Sequence, residues 1–339
     1  MTLLAEGSPE PLAARYDTAL VDLDGVVYIG PDVVPGAAES LAKARGASMR
    51  VAFVTNNAAR TPAAVAAHLR DLGVEAEPDD VVTSAQAAAT LVAERVPADA
   101  SVLVVGGEGL RAALTERGLR PVASADDDPA AVVQGFAPEV GWTLLTEGAI
   151  AVRRGLPWVA SNLDRTVPTA RGLAPGNGAL VSVIAAVTGT TPQVVAGKPE
   201  LALHMEAVRR TGAKHPLVVG DRLDTDVEGA NRAGVDSLLV LTGVTSPGEL
   251  VWAAAALRPS YIAEDLESGL LAPHPPVQAR DGTWLCGGWA ARRDGTWHVE
   301  GTGPRIDGLR ALCAGLWSSG EGAVDARSLA AALDGLPDR

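Results

Sequence analysis

Two carboxylates one residue apart, Asp22 and Asp24, end the apolar run Thr18-Ala-Leu-Val21 and are followed at once by Gly25. A charge emerging at the carboxyl end of a buried strand in an open α/β sheet stands where ligands bind. Capping of a turn would be the better explanation of the pair if nothing else in the chain agreed. Three later stretches do agree. Val51-Ala-Phe-Val54 runs into Thr55-Asn56-Asn57, Val194-Val195 leads through Gly197 to Lys198-Pro199, and Pro216-Leu-Val-Val-Gly220 ends in Asp221 with Asp224 and Asp226 close behind.

Each stretch also has a plain explanation. Thr55 and Asn56 are common caps and could serve the helix expected from Pro62 to Leu72, and Lys198 could be a surface lysine at a turn whose proline opens a helix. Helix capping explains one of the three acids after Gly220, but not all of them. Together the four strand ends read as one constellation of hydroxyl, amide, cation and carboxylates. Carboxylates within ~4 Å would repel by on the order of 4 kcal/mol per pair at an effective dielectric near 20. A divalent cation is therefore expected, and with only oxygen ligands on offer Mg2+ is favoured. The chemistry that follows is phosphoryl transfer. Asp22 attacks phosphorus, and Asp24, kept protonated by crowded surroundings, serves as general acid and then base. Thr55, Asn56 and Lys198 hold the phosphoryl oxygens. Asp221 ligates the metal, and Asp226 ligates it or positions its waters.

The elements that must position these residues follow from periodicity. The fold class is α/β: a doubly wound parallel sheet built from buried strands at Thr18, Val51, Pro216, Val235 to Leu241 and Tyr261-Ile-Ala263, with helices such as Pro35 to Gly46 between them. A further α/β segment from Ser84 to about Thr190 interrupts this core. It has helices from Ala85 to Arg95, from Trp142 to Arg153 and from Ala179 to Val187, and strands at Val102–Val105, Ala131–Val133 and Pro157–Val159. Its loop from Ser161 to Gly178 is polar and rich in Pro and Gly, so Asn162 and Asp164 are either substrate contacts or ordinary turn residues. After Pro273-His-Pro-Pro276 the composition shifts. Trp284, Trp289, Trp297 and Trp317 are four of the chain's seven tryptophans, and a hairpin turning at Arg293-Asp-Gly295 is expected before helices at Asp307 to Leu316 and Asp325 to Leu333.

One motif competes. Gly107-Glu-Gly109-Leu-Arg-Ala112 follows a strand, opens a helix and has acids at Asp126 to Asp128, as a dinucleotide-binding turn would. Glu108, however, puts a negative charge where a pyrophosphate would lie, and the acids fall in a loop. Steric need accounts for the glycines.

Composition narrows the classes further. A formal charge of −13 over 339 residues argues against nucleic acid and anionic membrane surfaces as partners. Cys286 and Cys313 lack disulfide or metal spacing, and no signal-like or membrane-length apolar run is present, so a cytoplasmic setting is expected. The five histidines make no metal-spaced pair.

The segments Asp22-Leu-Asp24-Gly25-Val26, Thr55-Asn56-Asn57, Gly197-Lys198-Pro199 and Gly220-Asp221-Arg-Leu-Asp-Thr-Asp226 together resemble the haloacid dehalogenase superfamily, in the subgroup with a large cap between the second and third motifs. The resemblance spans Tyr16 to Leu271. It implies a catalytic core from 16–83 and 191–271, an inserted α/β cap from 84–190 and a small accessory domain from 272–339. It also implies an aspartyl-phosphate intermediate on Asp22 and Mg2+ held by Asp22, the backbone carbonyl of Asp24 and Asp221. Where the subgroup reads Asn-Pro-Asp in the cap, this chain has Asn162-Leu163-Asp164. Among bacterial members the layout is similar to those acting on glycerol 3-phosphate, which carry an acetyltransferase-like C-terminal domain, although a tail of this length is short for a working acetyltransferase. A small phosphomonoester substrate is implied, glycerol 3-phosphate first, with 2-phosphoglycolate, nucleotide monophosphates and pyridoxal phosphate behind it. A homodimer through the cap is an expected assembly.

Overall fold

A computed structural model describes residues 4–169, 171–318 and 326–334. The chain divides into two compact units, one formed by residues 1–29, 33–51 and 213–339 and the other by 30–32 and 52–212. The fold class is the α/β one expected.

In the first unit the strands Thr18–Val21, Pro216–Gly220, Asp236–Val240 and Tyr261–Ala263 lie side by side and all parallel. Thr18 pairs with Pro216 and Val21 with Val219, so Asp22 and Asp221 leave adjacent strands nearly level with each other. These strands are apolar along almost their whole length because helices and loops cover both faces, and every residue of Thr18–Val21 is buried. The strand Arg50–Thr55 begins in this unit, where the Arg50 N–H donates to Asp17 O at 2.9 Å.

The tail belongs to the same unit. Its sheet has four antiparallel strands, Gln278–Arg280, Thr283–Cys286, Trp289–Asp294 and Thr296–Gly301, followed by the helices Arg305–Ser318 and Ala326–Asp334. The hairpin expected at Gly295 is present. Two earlier hairpins, turning at Asp281-Gly282 and at Gly287-Gly288, were not expected; the first is hidden because Gln278–Arg280 is exposed and shows no apolar alternation, although Asp281-Gly282 forms its turn with φ of 49° and 74°. The expected helix start at Asp325 lies outside the described residues. Trp289, Trp297, Leu309, Leu312 and Cys313 share one apolar core with Val227, Leu239, Leu250 and Ile262 of the parallel-sheet region. Arg310 seals the junction: Nε and Nη2 donate to Ile262 O, Nη1 donates to Asp307 Oδ1 at 2.7 Å, and Nη2 also donates to His274 Nδ1 at 2.9 Å. Both cysteines are buried free thiols, and burial first, then Asp307, pushes the Cys286 thiol up to about 12.

In the second unit the strand from Arg50 runs on to Thr55 and pairs in parallel with Val81–Thr83. A five-stranded parallel sheet follows, ordered Val194–Val195, Trp158–Ala160, Ala131–Gln134, Ser101–Val105, Arg120–Val122. Its core joins Leu103, Val105, Val132, Trp158 and Ile184. Not expected from the sequence are the strand Val81–Thr83, which is buried but only three residues long, the edge strand Arg120–Val122 and the hairpin of Thr166–Thr169 with Gly172–Pro175. The edge strand and the hairpin lack a buried face, and periodicity reports only buried faces.

Candidate active site

Strand ends build the acidic half. The Asp22 N–H donates to Val219 O at 2.8 Å, which extends the ladder one residue beyond Val21 and fixes Asp22 against the neighbouring strand. Asp221 follows Gly220 directly and is fully buried. The chain then makes a π-helical turn, Leu223–Val227, and this wide turn carries Asp226 back toward the strand end. Asp226 is buried too, and its Oδ2 accepts the Arg222 N–H at 3.2 Å. Carboxylate oxygens of Asp22, Asp221 and Asp226 come within 4.8 Å of one another. Three like charges at that separation repel by about 3 kcal/mol per pair at an effective dielectric of 20. An all-oxygen set with two buried members suits a hard dication of the size of Mg2+.

Glycines make the room. A Cβ on Gly243 would lie 2.0 Å from Asp221 Oδ2, one on Gly25 2.4 Å from the same atom, and one on Gly220 2.2 Å from Asp226 Cγ. Gly25 also has φ +84°, a conformation that side chains resist. The loop after Asp236–Val240 holds Asp221 in place: the Val244 N–H donates to its Oδ2 at 2.6 Å, and the Thr242 hydroxyl donates to Gly25 O at 2.6 Å. No role was expected of these residues. The available signal was a Thr-Gly pair at a strand's carboxyl end, level with the acids.

The remaining acids part company. Asp224 is taken by Arg222, whose Nε and Nη2 donate to it at 3.0 and 2.8 Å and hold its carboxyl below the usual range. Asp24 is exposed, so the crowding expected to keep it protonated is not supplied by its position. Gly25 N–H donates to Tyr28 O at 2.8 Å, which closes a tight turn directly after Asp24.

Thr55, Asn56, Asn162, Asp164 and Lys198 all belong to the second unit. Thr55 and Lys198 are buried. Lys198 Nζ donates to Val54 O at 3.1 Å, which anchors the ammonium at the end of the strand that carries Thr55. The Thr55 hydroxyl accepts the Asn57 N–H at 3.1 Å. Asn56 is a strut: its Oδ1 accepts the Lys198 N–H at 2.8 Å, and its Nδ2 donates to Lys198 O at 3.2 Å and to Asp164 Oδ2 at 3.1 Å. Asn162 is buried, donates from Nδ2 to Asn56 O at 2.7 Å and accepts the Asp164 N–H at 3.1 Å. Gly197 has no space for a side chain, since a Cβ would meet Asn56 Oδ1 at 2.4 Å.

The competing glycine turn has a steric purpose. A Cβ on Gly109 would lie 2.4 Å from Ala58 O and 2.6 Å from Arg60 O, and the Gly109 N–H donates to Ala59 O at 3.0 Å. The chain's own 58–60 loop occupies the space over this helix start that a pyrophosphate would need.

Comparison with known proteins finds phosphatases among the relatives of the chain. A family profile for haloacid dehalogenase-like hydrolases matches residues 19–120, a HAD-hydrolase-like profile matches 195–268, and a GCN5-related N-acetyltransferase-like profile matches 286–336. D-glycerol 3-phosphate phosphatase from Mycobacterium tuberculosis is 51% identical over 257 residues, covering 76% of this chain and 72% of that protein. Acid sugar phosphatase from Staphylococcus aureus is 36% identical over 258 residues, 76% of this chain and 97% of that one. Among solved structures, glycerol phosphate phosphatase from M. tuberculosis in complex with magnesium superposes with a TM-score of 0.86 at 44% identity, covering 96% of this chain and 99% of that one. The p-nitrophenyl phosphatase from Archaeoglobus fulgidus gives 0.68 at 31% identity, over 74% of this chain and 97% of its own.

Proposed function

The chain belongs to the haloacid dehalogenase-like hydrolases and is a Mg2+-dependent phosphatase of small phosphomonoesters, and from that premise we propose that its substrate is glycerol 3-phosphate and that Asp22 is its nucleophile. The observation that carries the site assignment is the meeting of Asp22, Asp221 and Asp226 oxygens within 4.8 Å. The substrate assignment is supported by relatives whose names specify glycerol phosphate, one of which aligns along nearly the whole chain, tail included.

In the proposed reaction an Asp22 carboxylate oxygen attacks phosphorus in line with the ester oxygen. The P–O ester bond breaks with its electron pair on the leaving alkoxide, and Asp24 gives that oxygen a proton. Water then attacks the aspartyl phosphate, Asp24 takes a proton from it, and phosphate leaves with Asp22 restored. Mg2+, when bound by Asp22, Asp221, Asp226 and the Asp24 carbonyl, supplies neutralisation of the clustered charge. Thr55, Lys198 and the backbone at Asn56 are assigned the phosphoryl oxygens. The Asn56 and Asn162 side chains, committed to internal hydrogen bonds, are assigned to holding Lys198 and Asp164 in place.

The domain division proposed is a core of 16–83 and 191–271, a cap of 84–190 and an accessory domain of 272–339. A cytoplasmic setting is proposed as well; among the described residues no helix is long and apolar enough to cross a membrane. A homodimer through the cap is supported by exposed Trp142, Ile150, Val183 and Val187 on the helices Trp142–Arg153 and Asn177–Thr188, and a Trp142→Glu protein that keeps the parent's mass in light scattering would count against it. The substrate is tested by comparing kcat/KM for glycerol 3-phosphate, 2-phosphoglycolate, a nucleoside monophosphate and pyridoxal phosphate with Mg2+ present. Glycerol 3-phosphate is expected to lead, and a clear lead by another ester overturns the assignment.

A further inference from the structure

Asn177, which no sequence argument singled out, opens the helix Asn177–Thr188 and is 1% exposed. Its Nδ2 donates to Asn162 O at 2.7 Å and reaches Gln134 O at 3.4 Å. The glycines on either side press this helix start against the 162–165 loop: a Cβ on Gly176 would lie 2.3 Å from Asp164 O, and one on Gly178 2.2 Å from Leu163 O. From there hydrogen bonds run without a break to Lys198. Asn162 Nδ2 donates to Asn56 O, the Asp164 carboxylate accepts from Asn56 Nδ2, and Asn56 brackets the Lys198 peptide from both sides.

We propose that Asn177 is a positioning residue for the Lys198 segment, acting through Asn162 and Asn56. The inference rests on the reading of Lys198 as a ligand of the phosphoryl group. An amide at position 177 satisfies a buried carbonyl on the loop that braces Asn56. If that donor is lost, the carbonyl is left buried without its partner, and the loop must shift to find another. Displacement of the 162–164 loop passes directly to Asn56 and then to Lys198, because Asn162 and Asp164 both hydrogen-bond Asn56, which in turn holds both sides of the Lys198 peptide. Asp or Ser at 177 would fit the volume, but an Asp oxygen would face the Asn162 and Gln134 carbonyls with repulsion.

The test uses the full-length protein with Asn177→Asp and Asn177→Ser, p-nitrophenyl phosphate as substrate and inorganic phosphate as inhibitor. In Asn177→Asp, KM and the phosphate inhibition constant are both expected to rise roughly tenfold, with a smaller rise in Asn177→Ser, while the Mg2+ concentration for half-maximal activity stays at the parent value. A purely structural role would lower the melting temperature and the active fraction but leave KM and phosphate inhibition unchanged in both variants, and that result overturns the proposal. Lys198→Ala run in parallel separates the two failures. If it keeps the parent's phosphate inhibition, the reading of Lys198 falls; if it loses that inhibition while both Asn177 variants retain it, only the role of Asn177 falls.

Discussion

Asp221 keeps its buried place because Gly25 and Gly243 leave space on either side of its carboxylate. Gly243→Ala would set a methyl 2.0 Å from Asp221 Oδ2 and force that ligand to move. The expected outcome is about tenfold weaker Mg2+ activation with little change in melting temperature, measured by titrating activity against Mg2+. Parent-like Mg2+ dependence would show that Asp221 is not a metal ligand. The positions of Asp22 and Asp221 were legible in the sequence because a strand fixes where its last residue emerges, so an apolar run followed by Asp places a carboxylate without knowledge of the rest of the chain, whereas Asp226 reaches them through the π-helical turn Leu223–Val227. The surroundings of Asp24 and the commitments of Asn56 were not legible. They depend on Tyr28, Lys198 and Asp164 meeting them in the fold, and local spacing carries no record of such partners.

Longer strands and helices with a buried face were likewise readable, down to both ends of Trp142–Arg153, whereas the three-residue strand Val81–Thr83 and the exposed hairpin Thr166–Thr169 and Gly172–Pro175 left no pattern to find. One polar hub in the second unit was also out of reach of periodicity. Glu206 is buried on the helix Leu201–Thr211, and it accepts from Arg117 Nη2 at 3.0 Å, Arg209 Nη2 at 2.6 Å and Arg210 Nε at 2.6 Å. Burial raises its pKa, but the arginine hydrogen bonds and charges outweigh that and hold it below the usual carboxylate range. Removing the carboxylate in Glu206→Ala leaves three guanidinium groups that reach water in part, so the cost is expected at about 2 kcal/mol, below that of a fully buried pair. Urea unfolding measures it, and a loss of a few tenths would mean that the hub is ornamental.

For the whole molecule, the tail is held by a shared apolar core and by the Arg310 junction rather than by a linker alone. Deleting residues 272–339 would strip the cover from Leu239, Leu250 and Ile262, and is expected to yield aggregated or unfolded protein; a soluble, active truncation would contradict this. The junction also has an acid response. His274 donates from Nε2 to Gly269 O at 2.8 Å and accepts from Arg310 at Nδ1, an arrangement that needs the neutral ring. Burial first, then the Arg310 charge, lowers its pKa to about 4 from 6.5. The unfolded chain therefore binds a proton before the folded one does. Stability is complete above about pH 6.5 and declines as the pH falls toward 4, by on the order of 3 kcal/mol in all and about 2 kcal/mol by pH 5. Comparison of unfolding at pH 7 and pH 5 should show that loss, and His274→Gln should lessen it; equal losses in the two proteins would assign the acid response elsewhere. The central claim, phosphoryl transfer through Asp22, is tested most directly by acid-quenching the enzyme during turnover with Mg2+ and p-nitrophenyl phosphate and mapping the phosphoryl adduct by mass spectrometry. The adduct is expected on Asp22 and absent from Asp22→Asn, and an active enzyme that carries the adduct on another residue, or on none under trapping conditions, would contradict it.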